Sequence, residues 1–168
     1  MNSALAAWNS ADEASAFEAM LACCGSKRWA AAMVALRPIG TVEQLRESAD
    51  RIWDMMGEPD WLEAFSCHPR IGERKVETPG QSAAWSRQEQ SRASAAGEDV
   101  LDELALGNKA YLQRFGFTYI VCASGKSAEE MLAILKNRLA GTRESELRQA
   151  AEQQRQIMQI RLGKWLVQ

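Results

Sequence analysis

Stripes of apolar residues with helical spacing, each introduced by a capping signal, constrain this chain more than any other feature. Three small polar residues are followed three positions later by Glu or Gln, a pattern that satisfies the free N–H groups of a first helical turn. The three pairs are Ser10 with Glu13, Thr41 with Gln44, and Ser127 with Glu130. Apolar residues then recur every three or four positions, so the sequence favours helix after helix.

Glycine and proline divide these stripes into seven or eight predicted helices. They cover approximately residues 14–24, 29–36, 41–56, 59–65, 82–96, 99–115, 127–139 and 142–166. Only residues 117–123, a β-branched and aromatic run between two glycines, break the pattern, and we expect extended chain there. The predicted fold class is all-α: a single-domain bundle over residues 1–168 with one short extended segment.

Size and charge exclude several classes of protein. A chain of 168 residues with 46% hydrophobic content can bury one core of its own. Its net charge of −2 gives no general attraction to nucleic acid or anionic lipid, and we expect neither as a partner. No apolar run approaches the roughly 20 residues of a membrane span, and the first ten residues do not resemble a signal peptide. We therefore expect a cytoplasmic protein.

The four cysteines are interpreted as free thiols. Cys23 and Cys24 are adjacent, and no Cys-x-x-Cys pair occurs. A single histidine cannot build a histidine-rich metal site, so no metal is expected.

His68, the only histidine, is the obvious candidate for acid/base chemistry. An unperturbed imidazole titrates near pH ~6.5, and Pro69 disfavours helix for the residue before it. The alternative is a surface loop histidine without a task. Two other motifs are dismissed: Cys67 lacks a second histidine to activate its thiol, and residues 124–127 resemble a phosphate-binding loop with Ile120 at a required glycine.

Two further features suit a polar ligand. Ser86 and Glu89 are three apart on a predicted helix, so hydroxyl and carboxylate share a face and could hold an amide or ureido group. Solvated residues are the alternative. Arg161 occupies an apolar stripe position of the last helix, where its side chain must reach water or meet a carboxylate of the protein or of a ligand.

Taken together, these motifs resemble the OHCU decarboxylase family, whose full name is 2-oxo-4-hydroxy-4-carboxy-5-ureidoimidazoline decarboxylase. The resemblance extends from about Ala11 to Leu166. The matching segments are His68-Pro69-Arg70-Ile71-Gly72, Ser86-x-x-Glu89-Gln90, residues 111–123, and Ile160-Arg161-Leu162. Many relatives have Pro-Phe where this chain has Thr118-Tyr119, which concerns one wall of the pocket.

The resemblance implies a cofactor-free, all-helical enzyme, often a homodimer, that converts this ureidoimidazoline to (S)-allantoin in urate degradation. It implies His68 and Glu89 as catalytic residues. The substrate-binding residues would be Pro69, Ser86, Glu89, Tyr119, Ile120, Val121, Cys122, Ala123 and Arg161. Two alternatives remain open at this point: a helical protein-interaction module without enzymatic activity, and a hydrolase of a related ureide.

Overall fold

The computed structural model describes residues 1–70, 81–89 and 97–168, which form nine helices and contain no strand. The helices are α1 (Ser3–Ser10), α2 (Glu13–Cys23), α3 (Lys27–Ala35), α4 (Val42–Asp54), α5 (Glu58–Ser66), α6 (Gln81–Glu89), α7 (Glu98–Phe115), α8 (Ala128–Arg138) and α9 (Arg143–Trp165). The all-α prediction is confirmed. The predicted count of seven or eight was too low because α1, which Asn2 caps by accepting the N–H of Leu5, was not predicted.

Two of the three predicted capping signals are confirmed. Thr41 and Gln44 form a complete capping box, and Ser127 accepts the N–H of Glu130. The prediction for Ser10 was wrong, because this residue ends α1 and its hydroxyl donates to the carbonyl of Ala6 at 3.2 Å. The aspartate two positions later caps α2 instead, since its carboxylate accepts the N–H of Ser15 at 2.9 Å.

The predicted break between helices at residues 117–123 is confirmed. Helix α7 ends at Phe115, and Gly116 follows in the left-handed conformation with φ of 82°, which a residue without Cβ adopts without strain. Residues 118–123 have no helical or strand structure, and most of them are buried. Of the helix predicted over residues 82–96, α6 accounts for residues up to Glu89, and residues 90–96 lie outside the described part.

Two compact units make up the chain. The first comprises Met1–Ala64 and Gln154–Gln168, and the second comprises Phe65–Gln153. Within the first unit α2 packs on α3, α3 on α4, and α1 on α2. Its core contains the fully buried side chains of Leu5, Met20, Trp29, Met33, Leu45 and Met158. The single domain predicted over residues 1–168 stays a prediction.

In the second unit α7 packs closely on α8. Gly107 permits this approach, because a Cβ there would lie 2.6 Å from Cδ2 of Leu135. At the end of α7 an aromatic cluster receives the chain as it leaves the helix: Tyr111 lies 4.6 Å from Phe115 and 5.8 Å from Phe117 between ring centroids. The extended segment therefore begins on an aromatic surface.

Candidate functional site

His68 lies just beyond the end of α5, in a turn, as the sequence predicts. The helix ends at Ser66, and the N–H of His68 donates to the carbonyl of Phe65 at 3.2 Å. Pro69 follows outside helical structure, and His68 is half-buried. The turn thus fixes the backbone of His68, and part of the residue's surface stays exposed.

Phe65, at the start of this turn, contacts the first residue of the extended segment. Its ring lies 5.7 Å from the ring of Phe117, with which that segment begins. Phe65 precedes His68 by three residues, so this ring contact is made at the start of the turn that carries the only imidazole of the chain. Two regions that the sequence separates by some fifty positions are brought together by a pair of aromatic rings.

The extended segment is held through its backbone by three side chains. Arg138 donates from Nη1 to the carbonyl of Ile120. The N–H of Cys122 donates to Oε1 of Gln153 at 2.8 Å, and Lys126 donates from Nζ to the carbonyl of Cys122, also at 2.8 Å. Side chains thus supply the hydrogen bonds that a helix or sheet would otherwise provide.

Other polar groups of this segment remain available. Among residues 1–70, 81–89 and 97–168, no hydrogen-bond acceptor meets the N–H groups of Ile120, Val121 and Ala123. All three residues are buried. Because buried backbone N–H groups are nearly always paired in native proteins, these donors are suited to the oxygen atoms of a ligand.

A buried ion pair supports this arrangement. Nε of Arg138 lies 2.7 Å from Oε2 of Glu146, and the two side chains are 7% and 6% exposed. The hydroxyl of Tyr111 donates to Glu146 at 2.8 Å and accepts from Arg138 Nη2 at 3.2 Å. The Arg138 guanidinium also lies 5.0 Å from the ring centroid of Tyr119, whose hydroxyl donates to the carbonyl of Met131.

Both tyrosines of this cluster stay protonated over a wide pH range. Burial raises the pKa of Tyr111 and of Tyr119 well above its ordinary value, although the positive charge of Arg138 acts to lower both. The phenols therefore act as neutral hydrogen-bonding groups.

Sequence reasoning missed Arg138 and Glu146, although a signal was present. Arg138 falls three positions after Leu135 and seven after Met131 on α8, so it occupies a core position of the apolar stripe. Glu146 precedes the buried Ala150 by four positions on α9 in the same way. The argument applied to Arg161 would have identified both residues.

Ser86 and Glu89 lie on α6, in the second unit with His68. Their spacing of three places them on neighbouring positions of one helix face, as predicted. Ser86 is 8% exposed beside the buried Trp85, which contradicts the alternative of a solvated serine, and Glu89 is half-buried. The pair offers a hydroxyl and a carboxylate from one face of α6.

Arg161 lies in the first unit and is buried, with 3% of its surface exposed. This excludes the alternative in which the guanidinium reaches water. Its Nη1 donates to the carbonyl of Ala22 at 3.4 Å. Burial raises the pKa of the adjacent Cys23 thiol to about 12, against the opposing effect of the Arg161 charge. The side chain therefore sits in a low-dielectric environment, where a cation interacts strongly with negative groups.

The four cysteines are free, as predicted, and only Cys67 is exposed. Within the described ranges, no three His, Cys, Asp or Glu side chains are grouped so that they could hold a metal ion. In the same residues, no helix has the length and apolar character that crossing a membrane requires.

Comparison with known sequences gives consistent matches. A family model described as OHCU decarboxylase matches residues 9–163. The uric acid degradation bifunctional protein TTL of Arabidopsis thaliana is 36% identical over 146 residues, which are 84% of this chain and 44% of that protein. The chain thus spans less than half the length of that relative. The 2-oxo-4-hydroxy-4-carboxy-5-ureidoimidazoline decarboxylase of Amia calva is 31% identical over 135 residues, 79% of this chain and 77% of that protein.

Solved structures match as well. A crystal structure of OHCU decarboxylase in the presence of (S)-allantoin has a TM-score of 0.76 and 36% identity, and the match covers 88% of this chain and 96% of that one. A crystal structure of (S)-allantoin synthase has a TM-score of 0.71 over 96% of this chain and 53% of its own, at 22% identity, and it therefore shares the fold.

Proposed function

Since the chain belongs to the OHCU decarboxylase family, we propose that it is a carboxy-lyase that converts 2-oxo-4-hydroxy-4-carboxy-5-ureidoimidazoline to (S)-allantoin in urate degradation. One observation carries the proposal. The half-buried His68 is held in a turn that Phe65 joins to an extended segment with unpaired backbone N–H groups. The first supplies an acid/base group and the second supplies donors for oxygen atoms.

The substrate carries its own means of accepting electrons. Its carboxylate and hydroxyl share one ring carbon, which adjoins a ring C=N conjugated with the 2-oxo group. When the bond to the carboxylate breaks, CO2 leaves and the electron pair moves through the C=N towards the ring nitrogen and the 2-oxo oxygen. The ring system takes up one proton, the hydroxyl becomes a carbonyl as its proton leaves, and the adjacent carbon is protonated. The sum is substrate plus one proton giving allantoin and CO2.

His68 is the proposed proton carrier. Its imidazole can accept the hydroxyl proton and deliver a proton to the adjacent ring carbon near neutral pH. Delivery from one fixed side would give allantoin of a single hand. Pro69 supports this role because it keeps the histidine out of the helix that ends at Ser66.

Ser86 and Glu89 are proposed to bind the ureido group. A carboxylate accepts ureido N–H protons, and a neighbouring hydroxyl can donate to the ureido carbonyl. Trp85, buried beside them, provides apolar surface that strengthens both hydrogen bonds by excluding water. The second role of Glu89, as a catalytic residue, belongs to the same proposal.

The backbone of residues 119–123 is proposed to line the substrate pocket. Unpaired N–H donors there would stabilise an oxygen that gains charge as CO2 leaves. Arg161 is proposed to contact a ring or ureido oxygen. Pairing with the carboxylate that departs would stabilise the substrate more than the transition state and would slow the reaction.

A cytoplasmic location and a homodimer belong to the proposal as well. Four free cysteines, three of them buried, suit a reducing compartment. Light scattering of the purified chain tests the dimer.

The decisive experiment generates the unstable substrate from urate with the two preceding enzymes of the route and adds this chain. We expect rapid CO2 release and accumulation of (S)-allantoin. Circular dichroism monitors the formation of this single enantiomer. Slow formation of racemic allantoin, identical with and without the chain, would eliminate the decarboxylase. Loss of ureide without CO2 release would instead indicate a hydrolase.

A further inference from the structure

The carbonyl of Ile120 and the N–H of Val121 belong to the same peptide unit. Peptide units are planar, and among the described residues the only cis bond joins Arg37 and Pro38. In a trans unit the C=O and the N–H point in opposite directions. Because Arg138 holds the carbonyl of Ile120, it also fixes the direction of the Val121 N–H, which faces away from the guanidinium.

Lys126 acts in the same way two residues later. Its ammonium group holds the carbonyl of Cys122 at 2.8 Å, so the N–H of Ala123 faces away from the lysine. Between them, the N–H of Cys122 is occupied by Gln153. Two cations therefore hold alternate peptide units, and two of the three donors left without partners, those of Val121 and Ala123, belong to these units.

A cation bound to a carbonyl also strengthens the N–H of that peptide. Charge on the oxygen side polarises the amide, and hydrogen bonds in chains reinforce each other in this way. The effect is largest where water is excluded, and Arg138 is 7% exposed.

Contacts on several sides hold the Arg138 side chain. Glu146 pairs with its Nε, the Tyr111 hydroxyl accepts from Nη2, and the Tyr119 ring lies 5.0 Å from its guanidinium. A buried ion pair of this kind commonly adds no stability over apolar residues of similar size, so stability alone is a weak explanation for it. A better explanation is that the ion pair orients a backbone N–H donor.

We propose that Arg138, fixed by Glu146, is a positioning residue that aims and polarises the Val121 N–H towards a substrate oxygen. The inference rests on the proposed decarboxylation. It assigns to that N–H the ring 2-oxo oxygen, which gains negative charge as CO2 leaves. Arg138 itself touches only the protein, and it acts through the Ile120–Val121 peptide.

The test compares Arg138→Met with a triple variant, Tyr111→Phe/Arg138→Met/Glu146→Leu. The single variant leaves the Glu146 carboxylate buried without its cation and can fail to fold. The triple variant replaces the polar cluster with apolar groups and is expected to fold. Arg148→Met is the matched control, because Arg148 forms an exposed ion pair with Glu144 within α9, the helix that also carries Glu146.

For the triple variant we expect native helical circular dichroism and a loss of kcat of about 100-fold per folded molecule, as for removal of one oxyanion donor. Its affinity for (S)-allantoin should fall as well, measured by calorimetry. In wild-type protein, addition of (S)-allantoin should shift the Val121 amide proton resonance. Arg138→Lys should retain more activity than Arg138→Met, because the ammonium can still reach one carbonyl.

The outcomes separate two failures. A wild-type chain without decarboxylase activity overturns the proposed function and this inference with it. An active wild type whose folded triple variant keeps its kcat and its affinity for (S)-allantoin overturns the inference alone, since Arg138 would then serve only the fold.

Discussion

The two compact units are stabilised in different ways. In the first unit, helices bury methionine, leucine and tryptophan, and the indole N–H groups of Trp8 and Trp29 donate to the carbonyls of Ala16 and Ala49 at 2.9 and 3.0 Å. In the second unit, side chains with charge are buried to hold a segment that has no regular structure. Apart from Arg161, the first unit uses its buried polar groups to complete its core, and the second uses them to shape a backbone.

This difference has a simple physical basis. A helix consumes its own backbone N–H groups, so only its first turn offers donors to a ligand. A chain that must present N–H donors elsewhere has to leave the helix, and side chains must then replace the lost hydrogen bonds. Arg138, Gln153 and Lys126 do so in the second unit, where nearly all the proposed site residues lie.

The largest expected effect tests whether the chemistry belongs to the second unit. His68→Asn should lower turnover by about 10²- to 10⁴-fold, because a positioned acid/base group contributes that much. Helical content should not change, since His68 lies outside α5. Cys67→Ser, at the exposed neighbouring position, is the control and should keep its activity. Near-normal turnover of His68→Asn would remove the imidazole from the mechanism.

The buried ion pair of the second unit should matter more for stability than its counterpart in the first. Arg138→Met should lower the free energy of unfolding by about 3–5 kcal/mol, because the Glu146 carboxylate loses its buried partner. Arg155→Met should cost about 0–1 kcal/mol, since Arg155 and Asp50 are 30% and 37% exposed at 3.2 Å. Urea denaturation of both variants measures the difference, and equal losses would refute the comparison.

Close helix packing in the second unit predicts a smaller loss. Gly107→Ala should destabilise the protein by about 1–3 kcal/mol, because the new Cβ would overlap Leu135 on α8. Gly97→Ala is the control, since a Cβ there meets nothing within 4 Å. Thermal melting of both variants measures the loss. An unchanged melting temperature of Gly107→Ala would show that α7 and α8 can move apart to accommodate the methyl group.

Alkaline pH should affect the second unit through its tyrosines, the only two in the chain. Burial raises the pKa of both above the value near 10 of the unfolded state. Above that pH the unfolded chain binds fewer protons than the folded one, so stability falls as pH rises. Below pH ~10 the tyrosines are protonated in both states, so their contribution to the free energy of unfolding is fully present. We expect tyrosinate absorbance to appear together with loss of helix, and its appearance in a fully helical protein would contradict the burial.

Much of the fold follows from local patterns. Thr41 and Ser127 were recognised as caps because their helix starts are encoded within four residues. The same reasoning failed at Ser10. The carboxylate of Asp12, two positions later, caps α2, and Ser10 instead forms the last residue of α1. Residues 117–123 were predicted to be extended because they lack helical spacing. This absence does not indicate which side chains hydrogen-bond to their backbone.

The sequence by itself determined most of the helices and the turn that carries His68, because periodicity and proline act over a few residues. It left open whether Arg161 reaches water, and the tertiary structure buries it. Only the tertiary structure decided that Phe65 meets Phe117 and that Arg138 holds the carbonyl of Ile120 against Glu146. These contacts join residues 8 to 52 positions apart. Such pairings depend on how helices pack, and no spacing rule along the chain encodes which buried charge will meet which backbone carbonyl.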